Sequence, residues 1–433
     1  MHPAPHRIRV AQPALMMAFL LLGHASLASV AWVPEYIDRL NVTFSTWGTI
    51  LGLAVVGAIA PLFFASRLVL RFGSRPIIRT GLFLGMIFLV SLAWITDPIL
   101  WALSNMLYTL WLSLAGNAIN VQAVALQGMV PKPIVPKLHS GWSIGAVLAA
   151  VTGAVATVWL SLEIFLVMVA AITIIGFEII RPLILSPTED GHEADRRGHV
   201  KRKFYSLPPQ LWLLAAALVL AVYPEVAIID WATVFARDVL ELELALRALP
   251  FVTFMFGMIV GRLSMGQLAD YIAPHIIASV GSAVAGVGLL ASALLAEPLV
   301  AWNASVGPSL IIGIWFIVGL GIAGISPTVI SAVAHVPNVS TAWALSRIQL
   351  VNQLATIGAK ALMGALAQGI GVSMALLFPV ALLLIGALVL RKAAAGAESA
   401  DLENVGPVTG TITLPIIVEE WGDEPDGPQP SPR

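Results

Sequence analysis

Three features of the sequence predict an all-α polytopic membrane protein with 12 transmembrane helices in two pseudo-symmetric six-helix bundles. They are apolar runs of membrane-spanning length, a one-sided distribution of positive charge, and echoes between the two halves of the chain. Of 433 residues, 58% are hydrophobic and 11% charged; a soluble domain carries about 25% charged residues. A lipid-spanning helix needs about 20 mainly apolar residues, because every backbone polar group must be paired within the segment. Such runs occur at Pro13 to Ile37, Thr46 to Val69, Pro76 to Ile95, Pro98 to Leu126, Leu138 to Trp159 and Leu162 to Leu185. After a polar segment they resume at Gln210 to Val234, Leu246 to Ala269, Pro274 to Leu295, Pro308 to Val333, Thr341 to Ala367 and Ser373 to Leu390. The expected domains are an N-terminal bundle over 1–185, a cytoplasmic central loop over 186–209, a C-terminal bundle over 210–392 and a disordered acidic cytoplasmic tail over 393–433.

Positive loop residues stay cytoplasmic, which tests the count separately. With both termini in the cytoplasm, Arg7, Arg9, Arg67, Arg71, Arg75, Arg79, Lys132, Lys137, Arg181, Arg196, Arg197, Lys201, Arg202, Lys203, Arg262, Arg391, Lys392 and Arg433 all fall on that side. Arg39, Arg237 and Arg247 fall outside, and Arg347 and Lys360 lie within the eleventh span. The expected location is the cytoplasmic (inner) membrane. The apolar run after Arg7 and Arg9 is too long for a signal peptide and meets no small-residue cleavage pattern, so it reads as a retained first helix. The halves echo at an offset of about 200 residues: Trp32 recurs as Trp231, and the turn Ser66 to Arg75 matches Gly266 to His275. The tail from Ala393 holds eight acids and one basic residue, a composition that does not fold alone.

A net charge of −1 gives no reason to expect a nucleic-acid partner, and the absence of cysteine rules out disulfides, thiolate metal sites and a cysteine nucleophile. The sequence has no His-Glu-x-x-His, no Gly-rich phosphate loop with lysine and no histidine pair at ligand spacing, so neither an enzyme, a metal nor a cofactor is expected. The expected partners are a small-molecule substrate, a proton as coupling ion and membrane lipid, with the chain a monomer.

The arrangement of halves, basic central loop and charged turns resembles the major facilitator superfamily over residues 10 to 392. Its turn motif is divided here: Arg71, Gly73 and Arg75 match the later part in the first copy, and Gly266, Leu268, Ala269 and Asp270 the earlier part in the second. Finer features resemble the bacterial branch of rhizopine-transporter-like (MosC-like) proteins and, more distantly, fucose permease: Trp32-Val-Pro to Leu40, Arg67 to Gly81, Leu138 to Gly145, Glu225 followed by Asp230-Trp231, and Gly319 to Pro327. Where that branch has Gly-Pro in the eleventh span, this chain has Gly358-Ala-Lys360. The resemblance implies a secondary transporter working by alternating access, with spans one, four, seven and ten around the cavity and the turn motif in the conformational switch. Efflux of amphipathic compounds and a non-transporting solute sensor are the alternatives.

An ionisable side chain in hydrocarbon costs about 2.5–3.5 kcal/mol on insertion scales, so it faces a cavity or a partner. His24, Glu35, Glu225 and Asp230 are the candidates for proton coupling. Imidazole titrates near neutrality, so His24 is either a relay or a histidine bonded within the bundle. Glu35 and Asp230 fall near outer helix ends, where they can reach water. Glu225 lies deepest, as a titrating carboxyl or as the permanent partner of Lys360 or Arg347. Tyr108, Trp111, Asn117, Asn120, Tyr223, Trp32 and Trp231 supply the amides and aromatic faces of a solute cavity. Lys360, Arg347 and Glu178 are expected in intramembrane charge pairs. Gly324 and Pro327 are gating candidates because glycine and proline let a helix bend, close packing being the alternative, and the resemblance adds Arg71, Gly73, Arg75, Gly266 and Asp270 of the turn motif.

Overall fold

In a computed structural model, the structure describes residues 5–130, 134–187, 189–190, 209–269, 271–334, 336 and 341–404. The first span is broken: α1 (Pro5–Leu27) tightens into a 3-10 turn at Ala28–Trp32 and continues as α2 (Val33–Leu40). The second span is α3 (Phe44–Ile59) followed by α4 (Pro61–Phe72); α5 (Ser74–Ser91), α6 (Pro98–Gln127), α7 (Val135–Trp159) and α8 (Leu162–Ile180) complete the first half. The second half is α9 (Pro209–Asp238), α10 (Leu249–Leu268), α11 (Pro274–Trp302), the tenth span divided into α12 (Val306–Ile322) and α13 (Ile325–Ala334), then α14 (Thr341–Ala375) and α15 (Leu377–Asn404). Among the described residues, 11 helices are long and apolar enough to cross a membrane, and Leu377–Arg391 is a shorter apolar twelfth. The last helix runs through Ala393 to Asn404, so the start of the expected disordered tail is helical; residues 405–433 and most of the central loop lie outside the described residues.

Water-exposed helix starts are capped locally. Thr43 accepts from the N–H of Thr46, and Asp97 from those of Ile99 and Leu100, pairing donors a helix start leaves orphaned. Within each half the helices approach through glycine. A Cβ on Gly57 of α3 would strike the carbonyl oxygen of Met106 on α6, and one on Gly257 of α10 would strike that of Phe316 on α12. The same contact, 200 residues apart, supports the repeat physically: bare backbone lets apolar helices close to van der Waals distance in lipid.

The halves meet mainly at the end away from the N-terminus of α1. There α3 runs along α14, and a Cβ on Gly48 would sit 2.6 Å from the Lys360 carbonyl oxygen and 2.7 Å from Gly364 Cα. The Phe44 N–H donates to Gln368 Oε1 (3.0 Å), and the Phe44 ring meets Trp231 edge-on at 5.8 Å between centroids. Arg237 donates to Asp38 (2.8 Å) and to the carbonyl of Pro34 (3.2 Å). By contrast α4 packs on α3, α5 and α6 and shares no comparable contact with α14, so the halves diverge towards the end where α1 begins.

At that end the first half is clamped around the C-terminus of α8. Arg7 donates to the carbonyls of Leu183 (2.7 Å) and Ile184 (2.6 Å) and pairs with Glu189 (3.1 Å), while Arg75 donates to Ile184 and Leu185. These carbonyls lie in the segment just after α8, where the negative end of the helix dipole also favours cations. Ser74 donates to Asp190 from both N–H (2.7 Å) and hydroxyl (2.6 Å), and Gly73, at φ +80°, lies against Pro187. Arg75 therefore acts within its own half in this state. The hydrogen bond from Arg7, with those from Ser186, holds the Glu189 carboxyl down at about 2. A depressed folded pKa gives stability that is complete above the ordinary glutamate value of 4.5 and lost as pH falls from there towards about 2. Thermal unfolding of purified protein from pH 5 to pH 3 is expected to show a smaller acid-induced loss of stability for Glu189→Gln than for the parent.

Candidate transport site

Buried charge in the second half centres on α9, where Pro224 interrupts the helical hydrogen-bond ladder between Tyr223 and Glu225. Asp230 bonds Lys360 of α14 at 2.5 Å, with side-chain exposures of 14% and 12%. Sequence reading put Asp230 near water. It lies eight residues before the end of α9, or about 12 Å along a helix axis, and the neighbouring α14 covers it. Tyr223 donates to the Ala359 carbonyl (2.7 Å), tying α9 to α14 one residue before that lysine.

Glu225 is not the partner of Lys360. Its Oε1 lies 3.6 Å from Arg262 Nη2, close enough for an ion pair and too long for a hydrogen bond. Arg262 also donates from Nη1 to Ser143 Oγ of α7 at 3.2 Å, crossing from one half to the other. Sequence analysis counted Arg262 as a cytoplasmic topology residue; the structure sets it six residues inside the end of α10. Its distance from the span end was the available signal, and an unmatched carboxyl at Glu225 was the reason to look.

The first-half candidates are mostly engaged in packing. His24, 8% exposed, shares a 3.1 Å hydrogen bond with Thr152 in the seam between α1 and α7. Glu35 pairs with Arg39 (2.6 Å), which also binds Glu163 (2.5 Å). Tyr108 donates to the Ala25 carbonyl (2.5 Å), Trp32 stacks on Phe165, and both are buried, as are Tyr223 and Trp231. Trp111 and Asn117 are half-buried and Asn120 is exposed. Asn117 donates to its own helix at Ser113. Glu178 pairs with Arg79 (2.6 Å) and Arg181 (2.8 Å), whose guanidinium groups are largely exposed. Arg347 is half-buried in α14.

Among the gating candidates, Gly324 falls in the break between α12 and α13, backed by the Met265 side chain, with Pro327 in the first turn of α13. Gly266 lies near the end of α10, Arg71 is exposed over the Phe72 ring, and Asp270 is outside the described residues. A cleft of about 340 Å³ lies away from these groups, between α5 and α8, lined by Arg79, Phe83, Phe177 and Glu178. Neither helix packs against the second half, so this cleft is peripheral to the transport site.

The class of protein follows from this architecture. Residues 137–342 match the model of the Major Facilitator Superfamily. An uncharacterised transporter of Sinorhizobium fredii is 27% identical over 326 residues, covering 73% of this chain and 80% of the relative. A second uncharacterised transporter, from Yersinia pestis, is 21% identical over 82% of this chain and 89% of its own length. Among solved structures, a bacterial homologue of the human lysosomal transporter Spinster, inward-facing and unoccupied, superposes with a TM-score of 0.70 at 15% identity, covering 92% of this chain and 99% of that one. A D-xylose-proton symporter gives 0.68 at 14% identity, covering 89% and 97%. The chain has the fold of these transporters, a multi-pass helical membrane architecture, and its similarity to the Major Facilitator Superfamily model extends over residues 137–342.

Removing one member of a buried ion pair costs about 3–5 kcal/mol, whereas replacing both with apolar groups is often neutral. Lys360→Met is therefore expected to lower the unfolding temperature sharply, and Lys360→Met combined with Asp230→Leu to recover most of the loss, measured by thermal unfolding in detergent.

Proposed function

We propose that the chain is a secondary active transporter that moves a small organic solute across the cytoplasmic membrane by alternating access, driven by protons that load on Glu225. The observation that carries this reading is the chain Glu225–Arg262–Ser143, in which a membrane-depth carboxyl is loosely paired with an arginine that itself bonds the opposite half. Protonating Glu225 removes the charge that holds Arg262 in place, and Arg262 is a link between the halves. A proton event is thereby tied to their relative position.

Arg262 is the charged group facing Glu225 from α10. The cations of α14 are Lys360, already held by Asp230, and Arg347, which is engaged with a partner of its own; α13 carries no charged residue, and α15 carries none before Arg391. The charge bias supports termini in the cytoplasm, and under that orientation the divergence of the halves faces inward. The resemblance to the rhizopine-transporter-like and fucose-permease-related branch supports solute uptake. The two bundles over 1–185 and 210–392 are the moving bodies, joined by the segment 186–209 and followed by the tail 393–433.

Solute counterflow and solute-driven pH change in proteoliposomes test the proposal together. Glu225→Gln is expected to keep counterflow and to lose the pH change. Coupling that survives unaltered in Glu225→Gln would exclude this residue as the proton site, and binding without counterflow in the parent would exclude transport.

A further inference from the structure

Arg262 has fewer partners than a buried guanidinium normally holds. The group carries five N–H donors and cannot give up its charge. Nη1 has Ser143 at 3.2 Å, Nη2 has Glu225 at 3.6 Å, and Nε is shut off from solvent without an acceptor among the described residues. Its side chain is still 31% exposed, on a helix that faces the other half. Compare Arg7, at the end of the bundle, which satisfies two carbonyls and a carboxylate at hydrogen-bonding distances. An incompletely bonded arginine at membrane depth, open on one side, is a site waiting for an acceptor.

From this we infer that the transported solute is a monocarboxylate, a small organic acid whose carboxylate binds the Arg262 guanidinium in the place Glu225 now occupies loosely. The inference rests on the proton-coupled reading of Glu225 and adds the substrate class to it. Charge balance selects the ligand. Without solute, ionised Glu225 neutralises Arg262. With solute, the incoming carboxylate neutralises Arg262, and Glu225 takes up a proton, so no net charge enters low-dielectric surroundings in either state. One proton and one anion bind together, no covalent bond is made or broken, and both are released together.

The same count disfavours a phosphate dianion. A second cation would be required, and Lys360 is committed to Asp230 at 2.5 Å. A fully neutral solute can accept from the orphan Nε donor but brings no charge to neutralise Arg262, so it leaves Glu225 as the counter-ion and no proton is taken up. The planar fork of arginine matches a carboxylate in two parallel hydrogen bonds, which lysine cannot reproduce. The exposed amide of Asn120 and the half-buried Asn117 of α6 offer contacts for the rest of the molecule.

The test uses the purified full-length chain in detergent and a panel of acids, acetate, lactate, benzoate and glucuronate, each beside its uncharged amide or alcohol. Thermal shift reads binding, and a weakly buffered solution reads proton uptake. At least one acid is expected to stabilise the parent while its neutral counterpart does not, with about one proton taken up per anion bound. Arg262→Gln is expected to weaken that acid at least tenfold, Arg262→Lys to restore part of the loss, and Glu225→Gln to keep binding without proton uptake. Glu225→Gln retains the Arg262 charge and also shows whether a folded variant behaves as stated if Arg262→Gln does not fold. The inference is overturned if no acid on the panel is distinguished from its neutral counterpart, or if Arg262→Gln binds as the parent does. Acid binding without flux in proteoliposomes removes the transport reading and leaves the site; proton-coupled flux of a neutral solute leaves transport and removes the site.

Discussion

Hydrocarbon offers no water to a charge, and the placement of this protein's ionisable groups follows from that constraint. Asp230 and Lys360 face each other at hydrogen-bonding distance and exclude solvent, the geometry in which mutual attraction offsets desolvation. Arg39 at one membrane edge and Arg7 at the other gather carboxylates and carbonyls around themselves. Glu225 and Arg262 are the exception. Their separation of 3.6 Å leaves attraction without a hydrogen bond, and such a pair is more easily parted than the one beside it. A membrane protein that rests on satisfied pairs keeps one pair unsatisfied where its two halves meet.

The two ends of the molecule differ in how the halves touch. At the far end α3 lies on α14 along bare backbone, reinforced by Phe44 with Gln368 and Trp231 and by Arg237 with Asp38. At the near end the strongest polar contacts stay inside the first half, binding α8 and the residues after it to Arg7, Ser74, Arg75 and Gln122. The cohesion of the first bundle and the contact between the bundles thus rest on different sets of interactions. Helix breaks at Ala28–Trp32 and between Ile322 and Ile325 fall on spans one and ten, which the resemblance implies are two of the four around the cavity.

How much of this was legible in the sequence depends on whether the signal was linear. Span positions were legible, because twenty apolar residues in a row have one economical arrangement in lipid; Leu162, Pro274 and Pro98 begin helices where the hydropathy did. The bend near Gly324 and Pro327 was legible from the residues themselves. Pairing was not. Asp230 with Lys360 and Glu225 with Arg262 join residues 130 and 37 positions apart, and the angle at which one helix faces another is set by packing that a single helix does not encode. Charge bias did not reveal the contact of Arg262 with Glu225 for a related reason: counting positive residues near helix ends records depth coarsely and rotation not at all. Tyr108, Trp32 and Trp231 were read as cavity walls because aromatics suit that role, yet each spends its ring on neighbouring helices.

The seam of Gly48 against Gly364 has a mechanical consequence. A joint made of main chain has no side chains to unlock, so small rotations about it require no rotamer changes. It serves as a fulcrum. Resistance to tilting then falls on the polar ties around it, and the outermost, Arg237 with Asp38, involves a carboxylate 66% exposed to solvent, where ion pairs are worth little. Under the proposed alternating access, a hinge with so soft a latch keeps its two positions close in energy, so that the few kcal/mol available from one bound solute suffice to tip it.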